Sequence, residues 1–258
     1  MEQLLTSAQN PKIKHLLALQ QKSSQRRADG LFVVEGMREL RHALAAGFRA
    51  DSLFCCPPLM TEPLPATDAV CYEVTKELYG RIAYRGTTEG VVALMHIRQA
   101  SLSELRLPDA PLIVVLESVE KPGNLGAVLR TADAAKADAV IVCDPLTDLF
   151  NPNLIRSSIG AIFTVPCVDC SSDACIEFLK RRGIAILTAQ LQDSHLYYDT
   201  DMRGPTAIVM GTESTGLTDQ WRRAADAHIR IPMLGQLDSL NVSVSAAILL
   251  FEAVRQRN

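Results

Sequence analysis

The run Leu112–Leu116 is five apolar residues in a row, with isoleucine and two valines between the leucines. Such a run suits a strand buried on both faces of a parallel sheet. Short apolar runs at Ala139–Val142, Ala161–Pro166, Ile184–Leu187, Thr206–Met210 and His228–Ile231 predict further strands. Between them the spacing turns helical, at Asn124–Ala137, around Asn153–Ser158, at Ser172–Arg182 and at Leu240–Arg255. The first hundred residues alternate in the same way. Ile13, Leu16, Leu17 and Leu19 form a helical stripe behind Asn10-Pro11, a cap residue followed by proline at the first helical position. Strands are expected at Leu31–Val34, Ser52–Cys56, Val70–Glu73 and Val91–Met95, with helices at Glu35–Ala46, stopped by Gly47, and at Thr75–Ile82. Alternation of strand and helix throughout predicts an α/β fold on a parallel sheet covered on both faces. It divides into a smaller domain over 1–100 and a larger one over 112–258. The linker is expected at 101–111, where Pro108 and Pro111 bracket an exposed-looking run.

Composition narrows the class of protein. A 258-residue chain with 48% apolar and 21% charged residues has material for a buried core, which excludes overall disorder. No apolar run approaches the ~18 residues of a membrane helix, and the opening stretch lacks the apolar segment of a signal peptide. Seven scattered cysteines do not make a disulfide framework, so a cytoplasmic protein is expected. The net charge of −3 hides an asymmetry: the first 100 residues carry +2 and the rest −5. Lys12, Lys14, Lys22, Arg26 and Arg27 fall in one stretch without an acid. That stretch can meet RNA phosphates, and a solvated helix face is the alternative.

Several familiar chemistries fail on inspection. Gly211 and Gly216 have P-loop spacing, but Leu217 stands where a lysine would hold phosphate. No dinucleotide-binding GxGxxG, GxSxG elbow or HExxH occurs, and the five histidines are isolated. Cys167 and Cys170, with Cys175 nearby, make one metal-like pair without a second at zinc spacing, so no metal site is expected. Three polar clusters remain. Asn124 follows the Pro122-Gly123 turn as a candidate helix cap, and Arg130 lies six residues on, about 240° further around the helix. Gly211–Gly216, with Glu213 inside, follows the strand Thr206–Met210 and lets backbone approach a ligand at a strand's carboxyl end. Arg230-Ile-Pro-Met233 leads to Ser239, Leu240 and Asn241 at the start of the last helix, where Ser239 reads as an N-cap.

In this order the three clusters resemble the motifs of the SpoU (TrmH-like) family of RNA ribose 2′-O-methyltransferases in the SPOUT superfamily. The resemblance covers about residues 112–256, and the third motif runs almost unbroken. Thr6–Lys14 and Leu31–Met37 are similar to that family's substrate-binding domain, which looks like ribosomal-protein RNA binders. The segment Gly86–Gly90 departs from the family by lacking a proline. The resemblance implies a deep trefoil knot in the second domain, S-adenosylmethionine as cofactor, a homodimer with residues of both chains at the active site, and an RNA substrate, ribosomal or transfer. It assigns cofactor contacts to Gly211, Gly216, Ile231, Met233 and Leu240. It assigns the reaction to Arg130, Asn124, Glu213, Ser239 and Asn241, while the basic stretch of the first half makes Lys12, Lys14, Arg26 and Arg27 the expected RNA contacts. Two rival readings are a non-catalytic RNA-binding protein that keeps the fold and an enzyme using another nucleotide. The polar positions of all three motifs oppose the first, and the missing P-loop lysine opposes the second.

Overall fold

The computed structural model describes residues 3–84, 89–212 and 215–258. Glu213 and Gly86–Thr88 lie outside the described residues. The chain divides into two compact units, one of residues 1–98 with 148–163, the other of residues 99–147 with 164–258.

The first unit holds strands β1 (Gln3–Leu5), β2 (Leu31–Glu35), β3 (Ala50–Cys55), β4 (Val70–Val74) and β5 (Val91–His96), in the order β1-β4-β3-β5-β2. The expected strands are all present, but the sheet is mixed: β5 runs antiparallel to both β2 and β3. Alternation alone cannot tell a crossover that returns parallel from one that reverses. The helix Pro11–Gln21 starts as its sequence dictates, with the Asn10 side chain accepting from the Lys12 N–H at 2.9 Å. It buries Ile13, Leu16 and Leu19. Gly36 and Gly47 bracket the helix Met37–Ala45 with φ of +102° and +82°, values that a side chain would strain.

Two sequence expectations need correction here. Arg26 is not a phosphate contact. Its side chain is 3% exposed, its Nε pairs with Asp148 at 2.6 Å, and its Nη1 donates to the Leu19 carbonyl at 2.6 Å. A basic stretch read as one face thus contains an inward-facing guanidinium. The run Ala161–Pro166 is not a strand; Ala161–Thr164 is a helical turn, entered through Ile159 and Gly160 at φ +55° and +84°. The rings of Phe150 and Phe163 pack with Phe32 at 4.7 and 6.1 Å and with Phe48 at 6.3 and 5.3 Å. Ala161, Ile162 and Phe163 are buried in succession, and so short an apolar run carries no period that separates strand from helix.

The second unit holds β6 (Leu112–Glu117), β7 (Ala139–Cys143), β8 (Cys167–Cys170), β9 (Ala185–Ala189), β10 (His195–Leu196), β11 (Thr206–Met210) and β12 (Ala227–Arg230). They run in the order β10-β12-β9-β11-β6-β7-β8 and every pairing is parallel. On one face Phe178, Leu179 and Trp221, from helices Ser172–Arg181 and Asp219–Ala224, cover Ile113, Val115 and Val209. Successive strand residues point to opposite faces. On the other side helix Pro122–Ala134 packs along the last helix, Val242–Arg257. The stretch read as a linker packs on this unit: Leu105 is buried in its core, and the Arg257 guanidinium bonds the carbonyls of Ala110 and Pro111. Among the described residues no helix is long and apolar enough to cross a membrane.

Candidate active site

The strand order of the second unit changes direction at β6. β7 and β8 extend to one side, while β11, β9 and β12 lie on the other. Open α/β sheets bind ligands at the carboxyl ends of strands beside such a switch. A cleft of about 360 Å³ opens on the β11 side of the switch, against the ends of β9, β11 and β12. Gly211, Gly216, Ile231, Met233, Ser239 and Leu240 all line it. Residues from two separate motifs therefore meet in one place, including every residue assigned to the cofactor.

The loop after β11 is held by its own backbone. The Gly216 N–H donates to the Thr212 carbonyl at 3.0 Å, and the Thr212 and Thr215 hydroxyls lie 2.7 Å apart. A Cβ on Gly211 would stand 2.3 Å from the Gly216 carbonyl carbon and oxygen. Only glycine allows that approach. Gly216 itself takes φ +68°, so both ends of the loop need glycine for different reasons.

The remaining polar positions distribute unevenly. Asn124 is not a cap, because the helix begins at Pro122 with Lys121 before it. It sits within the first turn, lining a small hollow of about 130 Å³ that shares Gly211, Thr212 and Val242 with the cleft. The cap of the last helix is Asn241 rather than Ser239: its Oδ1 accepts from the Ser243 N–H at 3.0 Å. Its Nδ2 donates to Asn124 Oδ1 at 3.2 Å, tying the first motif to the third. Ser239, released from capping, faces the cleft. Arg130 is exposed on the helix Pro122–Ala134 and lines neither space. Glu213 lies outside the described residues.

Sequence reading passed over Glu117, which has no motif around it. This carboxylate ends β6, is 3% exposed, and accepts from the Thr218 N–H at 2.8 Å and the Thr218 hydroxyl at 2.7 Å. Thr218 directly follows the glycine loop, so Glu117 anchors the loop's far end. The only signal was a carboxylate closing an otherwise apolar strand. Glu117→Ala should lower the unfolding free energy by about 1–3 kcal/mol, since buried donors lose their acceptor. Denaturant titration checks this, and Glu117→Gln should lose less because one acceptor remains.

A parallel sheet is not itself a function, but this sheet with a glycine-walled cleft at the carboxyl ends of its strands defines a small-molecule-binding α/β enzyme. The model of the SpoU rRNA Methylase family matches residues 111–251, and one for an MRM3-like substrate binding domain matches residues 10–93. The chain belongs to the SpoU rRNA methylase family. It is similar to the Bacillus subtilis 23S rRNA (guanosine(2553)-2′-O)-methyltransferase RlmP, at 28% identity over 96% of this chain and 97% of that one. It is similar to the 23S rRNA (guanosine-2′-O-)-methyltransferase RlmB of Pseudomonas syringae pv. tomato, at 40% identity over 67% of this chain and 72% of that one. A crystal structure of an RNA 2′-O ribose methyltransferase superposes with a TM-score of 0.86 at 38% identity, covering 98% of this chain and 99% of its own. The AdoMet-bound rRNA methyltransferase of Sinorhizobium meliloti gives a TM-score of 0.89 at 30% identity, covering 98% and 97%.

Proposed function

We propose that this protein transfers the methyl group of S-adenosylmethionine to a ribose 2′-hydroxyl of structured ribosomal RNA, with transfer RNA as the alternative substrate. The observation that carries this reading is the cleft in which Gly211, Gly216, Ile231, Met233 and Leu240 converge. Its fit to the cofactor rests on two features. The backbone around Gly211 is too close-set for any side chain, which leaves main-chain N–H and C=O groups to read a flat base. Half-buried Ile231 and Met233 give that base an apolar bed. When bound, S-adenosylmethionine supplies a methyl group already activated by positive sulfur, so this chain's task is the hydroxyl.

The 2′-hydroxyl must lose its proton as it attacks. Arg130 is suited to stabilise the developing alkoxide and grip a neighbouring phosphate rather than to act as base, because a guanidinium is a permanent cation with a planar fork of donors. Asn124 and Asn241, joined by their hydrogen bond, orient the ribose together with Ser239 and Glu213. Arg130 does not line its own chain's cleft, and a homodimer in which it serves the neighbouring site accounts for that. The last helix carries Val244 and Phe251 about half exposed, seven residues apart on one face, with Leu234 96% exposed nearby in sequence. An apolar face of this kind fits a second copy. We read the second unit as the knotted methyltransferase domain. In support, β11 inserts between β6 and β9 and β12 lies beyond β9, so consecutive strands are never neighbours on that side.

The first unit is proposed to hold RNA in the manner of a ribosomal-protein-like domain, in a cytoplasmic enzyme. Lys12, Lys14 and Arg27 are exposed, and Lys12 lies 4.6 Å from the Tyr72 ring centroid with its ammonium accessible. Replacing these three with glutamine should flatten the salt dependence of RNA binding, reducing the log–log slope by about 2. Filter binding across a salt series measures it. An unchanged slope would remove that surface from the RNA path. The reaction itself is tested by mapping 2′-O-methyl groups in RNA from a deletion strain, then restoring the missing one with purified protein and tritiated cofactor.

A further inference from the structure

Cys143 ends β7 and Cys170 ends β8, and the two are register partners on adjacent strands. Cys175 follows in the first turn of the helix Ser172–Arg181. The three sulfur atoms all lie within 4.8 Å of one another, and the group includes no histidine or carboxylate. Cys143 and Cys175 are 0% exposed, whereas Cys170 opens onto a pocket of about 530 Å³ walled by Asp169, Glu177 and Arg181. The site thus has a closed floor and one open side. Cys167, which sequence spacing pairs with Cys170, lies at the opposite end of β8 and is not in the group.

We propose that Cys143, Cys170 and Cys175 form a three-sulfur site for a soft thiophilic cation of the Cu(I) kind. Three sulfurs each about 2.3 Å from one ion stand about 4 Å apart, so the observed arrangement needs to close by less than about 1 Å. Thiolate ligands suit Cu(I), zinc and iron–sulfur clusters, and of these Cu(I) is the one whose coordination three sulfurs complete, whereas a structural zinc takes four protein ligands. As each metal–sulfur bond forms, its thiol gives a proton to solvent, with no change of oxidation state. The ligating sulfurs gather at the amino end of a ten-residue helix, whose dipole offsets part of the thiolate charge. The long gap between Cys143 and Cys170 explains why spacing rules for zinc motifs pass over the site.

The test uses the reduced full chain under anaerobic conditions, titrated with Cu(I) against a chromogenic Cu(I) chelator. One Cu(I) per chain should be withdrawn from the chelator, with the emission of a copper–thiolate centre. Cys170→Ser and Cys175→Ser should each weaken binding at least tenfold. Cys170 is half-buried at a strand end, so its variant is the one best placed to fold, and circular dichroism verifies each protein. Cys167→Ser should bind as wild type. So should Cys71→Ser, which removes the separate Cys55–Cys71 pair with sulfurs 3.3 Å apart. Failure of the wild type to compete, wild-type affinity in Cys170→Ser, or loss confined to Cys71→Ser would each overturn the assignment. Preferential retention of Zn(II) over Cu(I) would overturn the choice of ion.

Discussion

Gly211→Val should weaken S-adenosylmethionine binding by about a hundredfold while leaving the protein folded. The Cβ alone would lie 2.3 Å from two Gly216 backbone atoms and 2.5 Å from the Leu217 nitrogen. Backbone on the far side of a loop cannot step aside as a flexible side-chain tip can. The loop must therefore spread, and overpacking of this kind costs about 1–3 kcal/mol or somewhat more. That cost falls on the cleft because Gly211, Thr212, Gly216 and Leu217 are all in its wall. The β-strand before the loop is fully buried and paired on both sides with β6 and β9, which should preserve the fold. Gly211→Ala should show a smaller loss in the same direction. Calorimetric titration with the demethylated product S-adenosylhomocysteine measures both, beside a melting curve. Wild-type affinity in the valine variant would place the cofactor elsewhere.

What could be read without coordinates followed from how strongly each segment was determined locally. β11 was legible to the residue, as Thr206 and a four-residue apolar run between a Gly-Pro turn and a glycine. The Asn10-Pro11 start was legible because cap and proline act within one turn. The helix starts at Asn124 and Ser239 were displaced by two to three residues, since several residues near each start can cap and only packing chooses. Residues 148–163 were placed with the second domain by continuity, yet they group with the first unit. Nothing local announces that Phe150 and Phe163 will meet Phe32 and Phe48, which stand more than a hundred residues away in sequence. Arg26 failed for the same reason: its partner Asp148 is 122 residues distant. The glycine loop after β11 was legible as a ligand-facing turn, but its proposed link to this cofactor and to Ile231, Met233 and Leu240 came only through the resemblance, because Ile-Pro-Met carries no chemistry that elementary rules can read.

Arg130→Ala should lower methyl transfer by about 10²–10³, the scale of losing one preorganised donor to developing charge. Cofactor affinity should stay near wild type, because Arg130 lines neither the cleft nor the hollow beside it. Arg130→Lys should recover little. Lysine restores the charge but not the planar fork that can hold an alkoxide and a phosphate at once. The exposed position of Arg130 in its own chain supports two opposed accounts. If it is an ordinary solvated residue, alanine costs nothing in turnover, and stability moves by only a few tenths of a kcal/mol. If it serves the neighbouring chain's site, a mixed dimer distinguishes the roles. Pairing an Arg130→Ala chain with a Gly211→Val chain leaves one site with both an intact cleft and an intact arginine, provided the two come from different subunits. Mixing two inactive proteins should then restore up to about half the activity of the sites in each mixed dimer, as one of its two sites is whole. Single-turnover assays on the mixture and on each parent read this directly. If neither activity nor complementation changed as expected, with Arg130→Ala fully active alone, Arg130 would be a surface residue and the charge-stabilisation mechanism would lose its centre.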